Sequence, residues 1–458
     1  MSASKLQESG EVRIKHSLNK DEEDFIVTRR QSVFPILENL DTHCSQDEVP
    51  NIALLGSGGG QRAMVGLLGS LVQLDKAGLL DCILYLSGVS GSTWCMASLY
   101  QEPDWSTKLE TVKNKIIERI SGPAVSWGDA FAKLKKYYYE KDIFSLTDVW
   151  AAILVTTYVK EIDEHTLSEQ WDQHSKDPFP IYTVIDKQCK QLKDEKDPWF
   201  EISPHEAGYS LTGAFVKTSS FGSQFDKGSK KKTQPETDML YLQALCGSAL
   251  ADGEEILKFI WQKIKDFFDY LLPQVKTILE EMRKGKCSQV LMDLVDMNLS
   301  VLNVIDPSAY DKSIRKTLKE LAEGKGQLIF SVGKLNLADK EAAKRYMEQY
   351  TMDVCNYLSG WFNVCFSICR YEAVPPTLQK SEMRDYIDAG LLLNSPYFSM
   401  LRDERDIDFI ISLDFSEGDP FMVLYACSHT RLFKKHIIFH IFYIITTPLS
   451  PVWHEQLE

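Results

Sequence analysis

Short apolar runs that end in small residues are the first regular pattern along this chain. Residues 51–55 (NIALL) lead into the glycine-rich stretch 56–60 (GSGGG), and residues 83–86 (ILYL) lead into Ser87-Gly88. Between the two runs, one apolar face recurs at helical spacing and ends at Gly78 (Met64, Leu67, Leu68, Leu71 and Leu74). The order strand, helix, strand predicts parallel neighbours with a right-handed crossover, and a site at the carboxyl ends of the strands.

The remaining pattern extends this prediction to the whole chain. Residues 22–40 have helical spacing, and most of residues 100–200 are predicted to be helical. Strand patterns return at residues 386–388 and 407–415. We therefore predict an α/β fold, in which a central, mostly parallel sheet is flanked by helices.

One amphipathic stretch, residues 254–284, is interrupted by Pro273. Its apolar stripe suits either a helical cap over a lipid pocket or an ordinary core contact. The Lys-rich segment 227–237 is predicted to be a solvated loop, with contact to lipid headgroups as the alternative.

Composition and charge exclude several classes of protein. The formal net charge of −14 argues against binding to nucleic acid. The ten cysteines form no C-x-x-C pair, so we expect a reducing compartment, no metal site and no cofactor. The polar N-terminus lacks the apolar core of a signal peptide, and the longest apolar run, residues 437–445, is too short to span a bilayer. A cytosolic protein without a transmembrane segment is predicted.

Candidate chemistry begins at Gly88-Val89-Ser90-Gly91-Ser92, directly after a predicted strand and before a predicted helix. A serine at so sharp a turn needs small neighbours, because the backbone is strained and Oγ must point into the cleft. The usual lipase motif has glycine where this chain has Ser92. The alternative is a turn that only caps a helix. Ser90 is the predicted nucleophile.

The glycine-rich stretch supplies the groups that such a serine requires. The backbone N–H groups of Gly59 and Gly60 are predicted to form an oxyanion hole for a developing ester oxyanion. Arg62 follows at the start of the next helix, where a guanidinium binds a phosphate well; a surface salt bridge is its alternative role.

The nucleophile also needs a base, and no histidine before residue 400 follows a strand-end pattern. Asp388 ends an apolar stretch and precedes Ala389-Gly390, a small-residue turn that lets a carboxylate face the cleft of Ser90. Asp before Gly is also an ordinary turn starter. Together these motifs predict a Ser90–Asp388 dyad.

Several of these motifs resemble those of a known family. The segments GSGGGQRAM, SGVSGSTW and YIDAGLLLNSPY resemble the group IV cytosolic phospholipases A2, which share a patatin-like catalytic domain, as do WFEISPHEAGYSLTGAF and DIDFIISLDFS. The resemblance implies that Ser90 is the nucleophile, Asp388 its base, and Gly59 and Gly60 the oxyanion hole. It also implies that Arg62, and Arg405 as a second arginine, bind the substrate phosphate. The expected reaction forms an acyl-serine from a glycerophospholipid and releases fatty acid and lysophospholipid, with lysophospholipase or transacylase activity beside it.

The resemblance also implies the domain organisation. We expect a catalytic domain over residues 1–425 with a cap insertion at about 254–326, and a divergent tail over 426–458. Because the glycine loop begins close to the start of this sequence, we expect no calcium-binding C2 domain before it and no dependence on calcium. Peripheral attachment to intracellular membranes is expected as well. Because the tail departs from the family pattern, a catalytically impaired isoform with a lipid-binding or regulatory role is the alternative.

Two other functions fit parts of the sequence. Gly58-x-Gly60-x-x-Ala63 satisfies a loose dinucleotide-binding fingerprint, but the second strand ends in Ser87-Gly88 where that fold places an acidic residue. An ordinary α/β-hydrolase triad would use Ser90, Asp414 and His429, and His429 lies in the divergent tail.

Overall fold

The computed structural model describes residues 12–40, 44–141, 146–187, 189, 199–226, 229–247, 306–321, 384–416 and 437–442, with single positions between 290 and 364. The chain divides into two compact units. The first unit comprises residues 1–122, 163–249 and 365–458, and the second comprises residues 123–162 and 250–364.

The first unit is built around one mixed sheet. Its strands in chain order are β1 Val12–Ile14, β2 Ile52–Gly56, β3 Ile83–Gly88, β4 Phe179–Asp186, β5 Trp199–Ile202, β6 Glu206–Tyr209, β7 Ala214–Lys217, β8 Gln224–Asp226, β9 Ser229–Lys232, β10 Arg384–Asp388, β11 Phe409–Asp414 and β12 Ile437–Phe442. Strands β8 and β9 pair separately, as an antiparallel hairpin. The other strands lie in the order β1-β7-β6-β5-β4-β3-β2-β11-β12, and β10 pairs with β4.

Helices connect these strands. Those of the first unit are α1 Lys20–Asn39, α2 Gly60–Lys76, α3 Gly91–Leu99, α4 Leu109–Ser121, α8 Leu167–Trp171, α9 Met239–Cys246 and α11 Tyr397–Met400, and those of the second unit are α5 Trp127–Glu140, α6 Leu146–Val149, α7 Thr156–Val159 and α10 Ser308–Leu321. The N-cap side chain of Asn19 accepts a hydrogen bond from Asp21 N, which begins α1. Gly78 adopts φ 69° just after α2, where a left-handed residue ends a helix.

The second unit has its own apolar contacts. A π-helical segment, Trp150–Val155, joins α6 to α7 and packs against α5 through Leu134, Ile153 and Leu154. A separate cluster involves α10 through Ile314 and Leu318.

The prediction of parallel strands is confirmed for only one part of the sheet. Strands β12, β11, β2, β3 and β4 run parallel, whereas β5, β6, β7, β1 and β10 pair antiparallel. The sheet is therefore mixed, with helices packed against it. Leu54, Leu55, Leu84 and Leu86 on β2 and β3 are at most 2% exposed. Burying each of these side chains stabilises the fold by about 1.5–3 kcal/mol.

Most predicted elements near the glycine loop are confirmed, and others need correction. Helix α1, the β2–α2–β3 unit, α3, β10 and β11 lie where the pattern predicted them. The largely helical prediction for residues 100–200 missed β4, a strand with eight buried residues. The amphipathic stretch 254–284 lies outside the described residues. Within the tail 426–458, β12 pairs in parallel with all six residues of β11.

Candidate active site

Ser90 lies at a strained turn between β3 and α3. Its backbone has φ 52° and ψ −122°, which is uncommon for a residue with a side chain. Hydrogen bonds hold the turn on both sides: Val89 N donates to Gly56 O at 3.0 Å, and Thr93 N donates to Ser90 O at 2.9 Å. Backbone strain held by its surroundings is common at nucleophile turns, so this geometry matches the predicted elbow.

The glycine loop packs directly on this turn. A Cβ atom placed on Gly91 would lie 1.8 Å from Gly60 O, and one on Gly58 would lie 3.1 Å from the Cβ of Ser90. Gly59 and Gly60 adopt φ values of 154° and 58°, which favour glycine. The loop and the nucleophile turn are thus in backbone contact, and there is no room for a side chain at Gly91 or Gly58.

Ser92 has a contact that accounts for its presence where lipases have glycine. Its Oγ donates to the carbonyl oxygen of Ser57 at 2.6 Å. The bond joins the first turn of α3 to the loop that follows β2. Ser92 therefore links the nucleophile turn to the glycine loop.

The structure brings Asp388 towards Ser90 along one edge of β4. Strand β3 runs parallel to β4 and its last paired residues are Gly88 and Tyr182. Strand β10 runs antiparallel to β4 along the same edge and its last pair is Asp388 with Val184. The carboxyl ends of β3 and β10 therefore converge. Their last partners on β4, Tyr182 and Val184, are two residues apart, which corresponds to about 7 Å along the strand.

The packing around these strand ends agrees with this convergence. Val89, next to Ser90, and Ala389, next to Asp388, belong to one buried cluster with Ile185 and Trp199. The carboxylate of Asp388 is fully buried, and its Oδ1 accepts a hydrogen bond from Gly390 N at 2.8 Å. Burial and the negative charge of Asp388 raise the pKa of the Cys246 thiol, so that thiol stays protonated beside the carboxylate.

Arg62 is exposed on the first turn of α2, beside the glycine loop. Its Nε donates to Phe415 O at 2.8 Å, which anchors the guanidinium near the end of β11. A Cβ atom on Gly59 would lie 3.5 Å from Nη2 of Arg62. The N-termini of α2 and α3 also meet at this place, and helix N-termini favour negative charge.

Arg405 does not share this location. Its guanidinium is buried and forms ion pairs with Glu22 at 2.9 Å and with Glu201 at 2.8 Å, and it lies 5.4 Å from the ring centre of Tyr85. Burial opposes its charge, but Glu201 and Glu22 outweigh burial and raise the pKa of Arg405. These contacts argue against the prediction that Arg405 binds the substrate phosphate, because its donors already serve internal carboxylates.

Sequence reasoning missed a set of polar contacts behind the glycine loop. Gly58 N donates to Asn394 O at 3.1 Å, and Asn394 Nδ2 donates to Gly58 O at 3.3 Å. Ser57 Oγ accepts from Phe415 N and donates to Asp414 Oδ1 at 3.2 Å. The only sequence signal was that Asn394 lies six residues after Asp388 and Asp414 ends an apolar strand.

The structure shows Asp414 bonded to the loops around the glycine-rich stretch. Its Oδ1 accepts from Ser57 Oγ and from Ser416 N, both within the loops that end β2 and β11. The triad's proposed base, His429, lies outside the described residues. Two other histidines have acidic partners of their own: His174 Nδ1 lies 2.6 Å from Asp177, and His165 Nδ1 lies 2.8 Å from Asp163.

Metal sites and membrane-spanning helices are both absent from the described residues. Among them, no group of three or more His, Cys, Asp or Glu side chains is arranged to hold a metal ion. No helix within the described ranges has the length and hydropathy needed to cross a bilayer.

This chain is similar in sequence to known phospholipases and lysophospholipases. A family model described as the lysophospholipase catalytic domain matches residues 52–252. Human cytosolic phospholipase A2 gamma is 30% identical over 448 residues, covering 94% of this chain and 80% of the relative, and the mouse protein is 28% identical over 451 residues, covering 89% and 74%. Human cytosolic phospholipase A2 zeta is 30% identical over 436 residues, covering 90% of this chain and 48% of the relative.

Among solved structures, human GIVD cytosolic phospholipase A2 superposes with a TM-score of 0.60 at 24% identity, covering 91% of this chain and 50% of that one. At this identity the likeness shows the fold, which is that of its catalytic domain. The chain is therefore an enzyme of the cytosolic phospholipase A2 family and carries a phospholipase A2/lysophospholipase catalytic domain.

Proposed function

We propose that this enzyme hydrolyses acyl esters of glycerophospholipids with a Ser90–Asp388 dyad, through an acyl-enzyme and without calcium. Gly59 and Gly60 form the oxyanion hole, and Arg62 binds the substrate phosphate. The observation that carries the proposal is the convergence of β3 and β10 on one edge of β4, since it supports contact between a strained serine and a buried carboxylate.

The proposed first half-reaction transfers the acyl group to the enzyme. Asp388 accepts the proton of Ser90 Oγ while Oγ attacks the ester carbonyl carbon. The oxyanion accepts hydrogen bonds from the N–H groups of Gly59 and Gly60. When the intermediate collapses, the bond to the glycerol oxygen breaks, and that oxygen takes the proton from Asp388 to leave as lysophospholipid.

The second half-reaction repeats these steps with water. Asp388 accepts a proton from water, whose oxygen attacks the acyl-serine, and Ser90 regains its proton as the fatty acid leaves. An alcohol group of a second lipid in place of water gives transacylation, and a lysophospholipid substrate gives lysophospholipase activity.

Charge stabilisation in this scheme comes from the chain itself. The N-termini of α2 and α3 supply positive potential where the ester would lie, and the guanidinium of Arg62 supplies it where the phosphate would lie. For that reason we propose that the chemical steps do not require calcium. We also propose that the enzyme works in the cytosol at the surface of intracellular membranes. Its relatives are named cytosolic phospholipases A2.

The test is fatty-acid release from sn-2-labelled phosphatidylcholine in mixed micelles containing a calcium chelator. The 458-residue chain is compared with Ser90→Ala and Asp388→Asn, and Asp385→Asn on the same strand is the matched control. We expect release from the parent and the control, and loss of about 10³-fold or more in the two dyad variants.

Two results would contradict the proposal. Release that survives both dyad substitutions would place the chemistry on other residues. No release from a folded, monodisperse parent that still sediments with phospholipid vesicles would favour the impaired, lipid-binding isoform.

A further inference from the structure

We infer that Asn394 is a positioning residue that orients the Gly58–Gly59 peptide, so that the N–H of Gly59 faces the substrate oxyanion. This inference rests on the proposed function, because it assigns a task to the oxyanion hole of that mechanism.

The carbonyl groups of the glycine loop are held by hydrogen bonds from three directions. Three successive carbonyl groups of the loop have donors: Ser92 Oγ donates to Ser57 O at 2.6 Å, Asn394 Nδ2 to Gly58 O at 3.3 Å, and Ala63 N to Gly59 O at 3.4 Å. The first donor belongs to the nucleophile helix and the third to the loop's own helix. The middle donor comes from the segment that follows Asp388.

Because of peptide geometry, the hydrogen bond from Asn394 to Gly58 O also fixes the direction of the Gly59 N–H, the proposed oxyanion donor. The carbonyl of Gly58 and the N–H of Gly59 belong to one planar trans peptide, so they point in opposite directions. When Asn394 holds the carbonyl, the N–H of Gly59 points away from Asn394. A peptide between two glycines otherwise rotates easily, since neither residue has a side chain to restrict φ and ψ.

Close packing supports the same role. A Cβ atom on Gly58 would lie 2.4 Å from Asn394 Oδ1 and 3.1 Å from Ser90 Cβ, so Asn394 and the nucleophile both lie against the open side of Gly58. The main chain of Asn394 adds a second contact by accepting from Gly58 N at 3.1 Å. Ser57 Oγ also lies 3.3 Å from Gly58 O, but its single proton is donated to the charged Asp414 Oδ1 at the shorter distance of 3.2 Å, so Asn394 Nδ2 is the donor to Gly58 O.

Asn394 also connects the oxyanion loop to the base. A short turn leads from Asp388 to Asn394, and Leu392 N and Leu393 N both donate to Ala389 O at 3.0 Å. This turn sets the separation between the carboxylate and the glycine loop. Asn394 thereby links the Asp388 carboxylate to the glycine loop, although the two lie more than 300 positions apart in the sequence.

The test compares Asn394→Ala and Asn394→Asp with the parent. Asp keeps the shape of Asn but replaces the donor with a charged acceptor that repels Gly58 O, so we expect Asp to be the more damaging substitution. A packing role alone predicts the opposite order. We expect kcat to fall by about 10- to 100-fold in Asn394→Ala, with little change in KM.

A transition-state analogue supplies the second measurement. A fatty-acyl trifluoromethyl ketone adds to the serine and presents an oxyanion, so its inhibition constant should rise by the same factor by which kcat falls. Asn51→Ala is the matched control, because Asn51 Nδ2 binds Asp406 O at 2.9 Å near the opposite end of β2. The control should keep the parent's kcat.

The outcomes separate this inference from the proposed function. Parent-like kcat in both Asn394 variants, alongside an inactive Ser90→Ala, would overturn the role of Asn394 alone. The same holds if kcat falls but affinity for the analogue does not change. Full activity in Ser90→Ala would instead overturn the proposed function. If Asn394→Ala does not fold, the isosteric Asn394→Asp decides.

Discussion

At the scale of single residues, the site depends on backbone contacts that tolerate no side chain. The nucleophile turn and the glycine loop touch at Gly91 and Gly60, and Ser90 keeps a positive φ beside them. A change of one methyl group at this contact must displace main-chain atoms, which are stiffer than side chains.

We therefore expect Gly91→Ala to abolish fatty-acid release. The new Cβ would lie 1.8 Å from Gly60 O, so either the glycine loop or the nucleophile turn must move. The measurement is fatty-acid release together with thermal unfolding. Gly69→Ala is the matched control: nothing lies within 4 Å of its Cβ, and alanine is the better helix former by about 1 kcal/mol. Activity in Gly91→Ala equal to that of Gly69→Ala would contradict the contact.

Arg62→Ala should distinguish phosphate binding from a structural role. We expect kcat/KM on phospholipid to fall by about 10- to 100-fold, the range for loss of a charge-assisted hydrogen bond. Hydrolysis of a fatty-acyl ester without phosphate should stay unchanged, because Arg62 has no other task in the proposed mechanism. Equal losses on both substrates would mean that the bond from Arg62 to Phe415 O supports the glycine loop instead.

At the scale of elements, the sequence predicted the local units better than their pairing. The β2–α2–β3–α3 order followed from apolar spacing and glycine positions. It placed Ser90, Gly59, Gly60 and Arg62 together beyond the carboxyl ends of β2 and β3. Strand β10 was also predicted, but its antiparallel pairing with β4 was not. That pairing joins residues about 200 positions apart, and no local pattern encodes it.

The location of Arg405 was unpredictable for a similar reason. An arginine near a motif matches a phosphate ligand and a buried ion pair equally well, and only the fold supplies Glu22 and Glu201. The contacts of Asn394 with the glycine loop were missed because they join loops, which carry no periodicity.

The buried ion network makes a prediction about stability and pH. Burial alone would raise the pKa of Glu201, but Arg405 and Arg402 outweigh it and lower that pKa to about 2. Because the ordinary pKa of an unfolded Glu is about 4.3, Glu201 stabilises the fold fully above that value. This contribution is lost as pH falls from about 4.3 towards 2.

Glu201→Gln should accordingly lower the free energy of unfolding by about 3–5 kcal/mol at pH 7, since it leaves buried arginines undercompensated. The difference from the parent, measured by urea unfolding, should shrink as pH falls through that window. Glu110→Gln, in an exposed pair with Lys113, is the control and should change little. If the difference in unfolding free energy stays constant down to pH 3, ionised Glu201 is not the source of the stabilisation.

At the scale of the whole molecule, the net charge affects how the enzyme binds to the membrane that contains its substrate. A formal charge of −14 repels anionic membranes overall, so attachment must depend on local contacts. We expect binding to phosphatidylcholine vesicles, measured by sedimentation in the presence of chelator, not to increase when phosphatidylserine is added. An increase that disappears when Lys230, Lys231 and Lys232 are replaced by Gln would instead assign anionic-lipid binding to the β8–β9 hairpin.

The dyad mechanism is tested most directly by trapping its covalent intermediate. The enzyme is mixed with phospholipid carrying a labelled sn-2 chain, quenched in acid during turnover, digested, and analysed by peptide mass spectrometry. We predict an ester-linked acyl group on Ser90, which is absent in Ser90→Ala and greatly reduced in Asp388→Asn. Steady release of fatty acid with no acyl group on Ser90, or with the label on another residue, would contradict the Ser90–Asp388 mechanism.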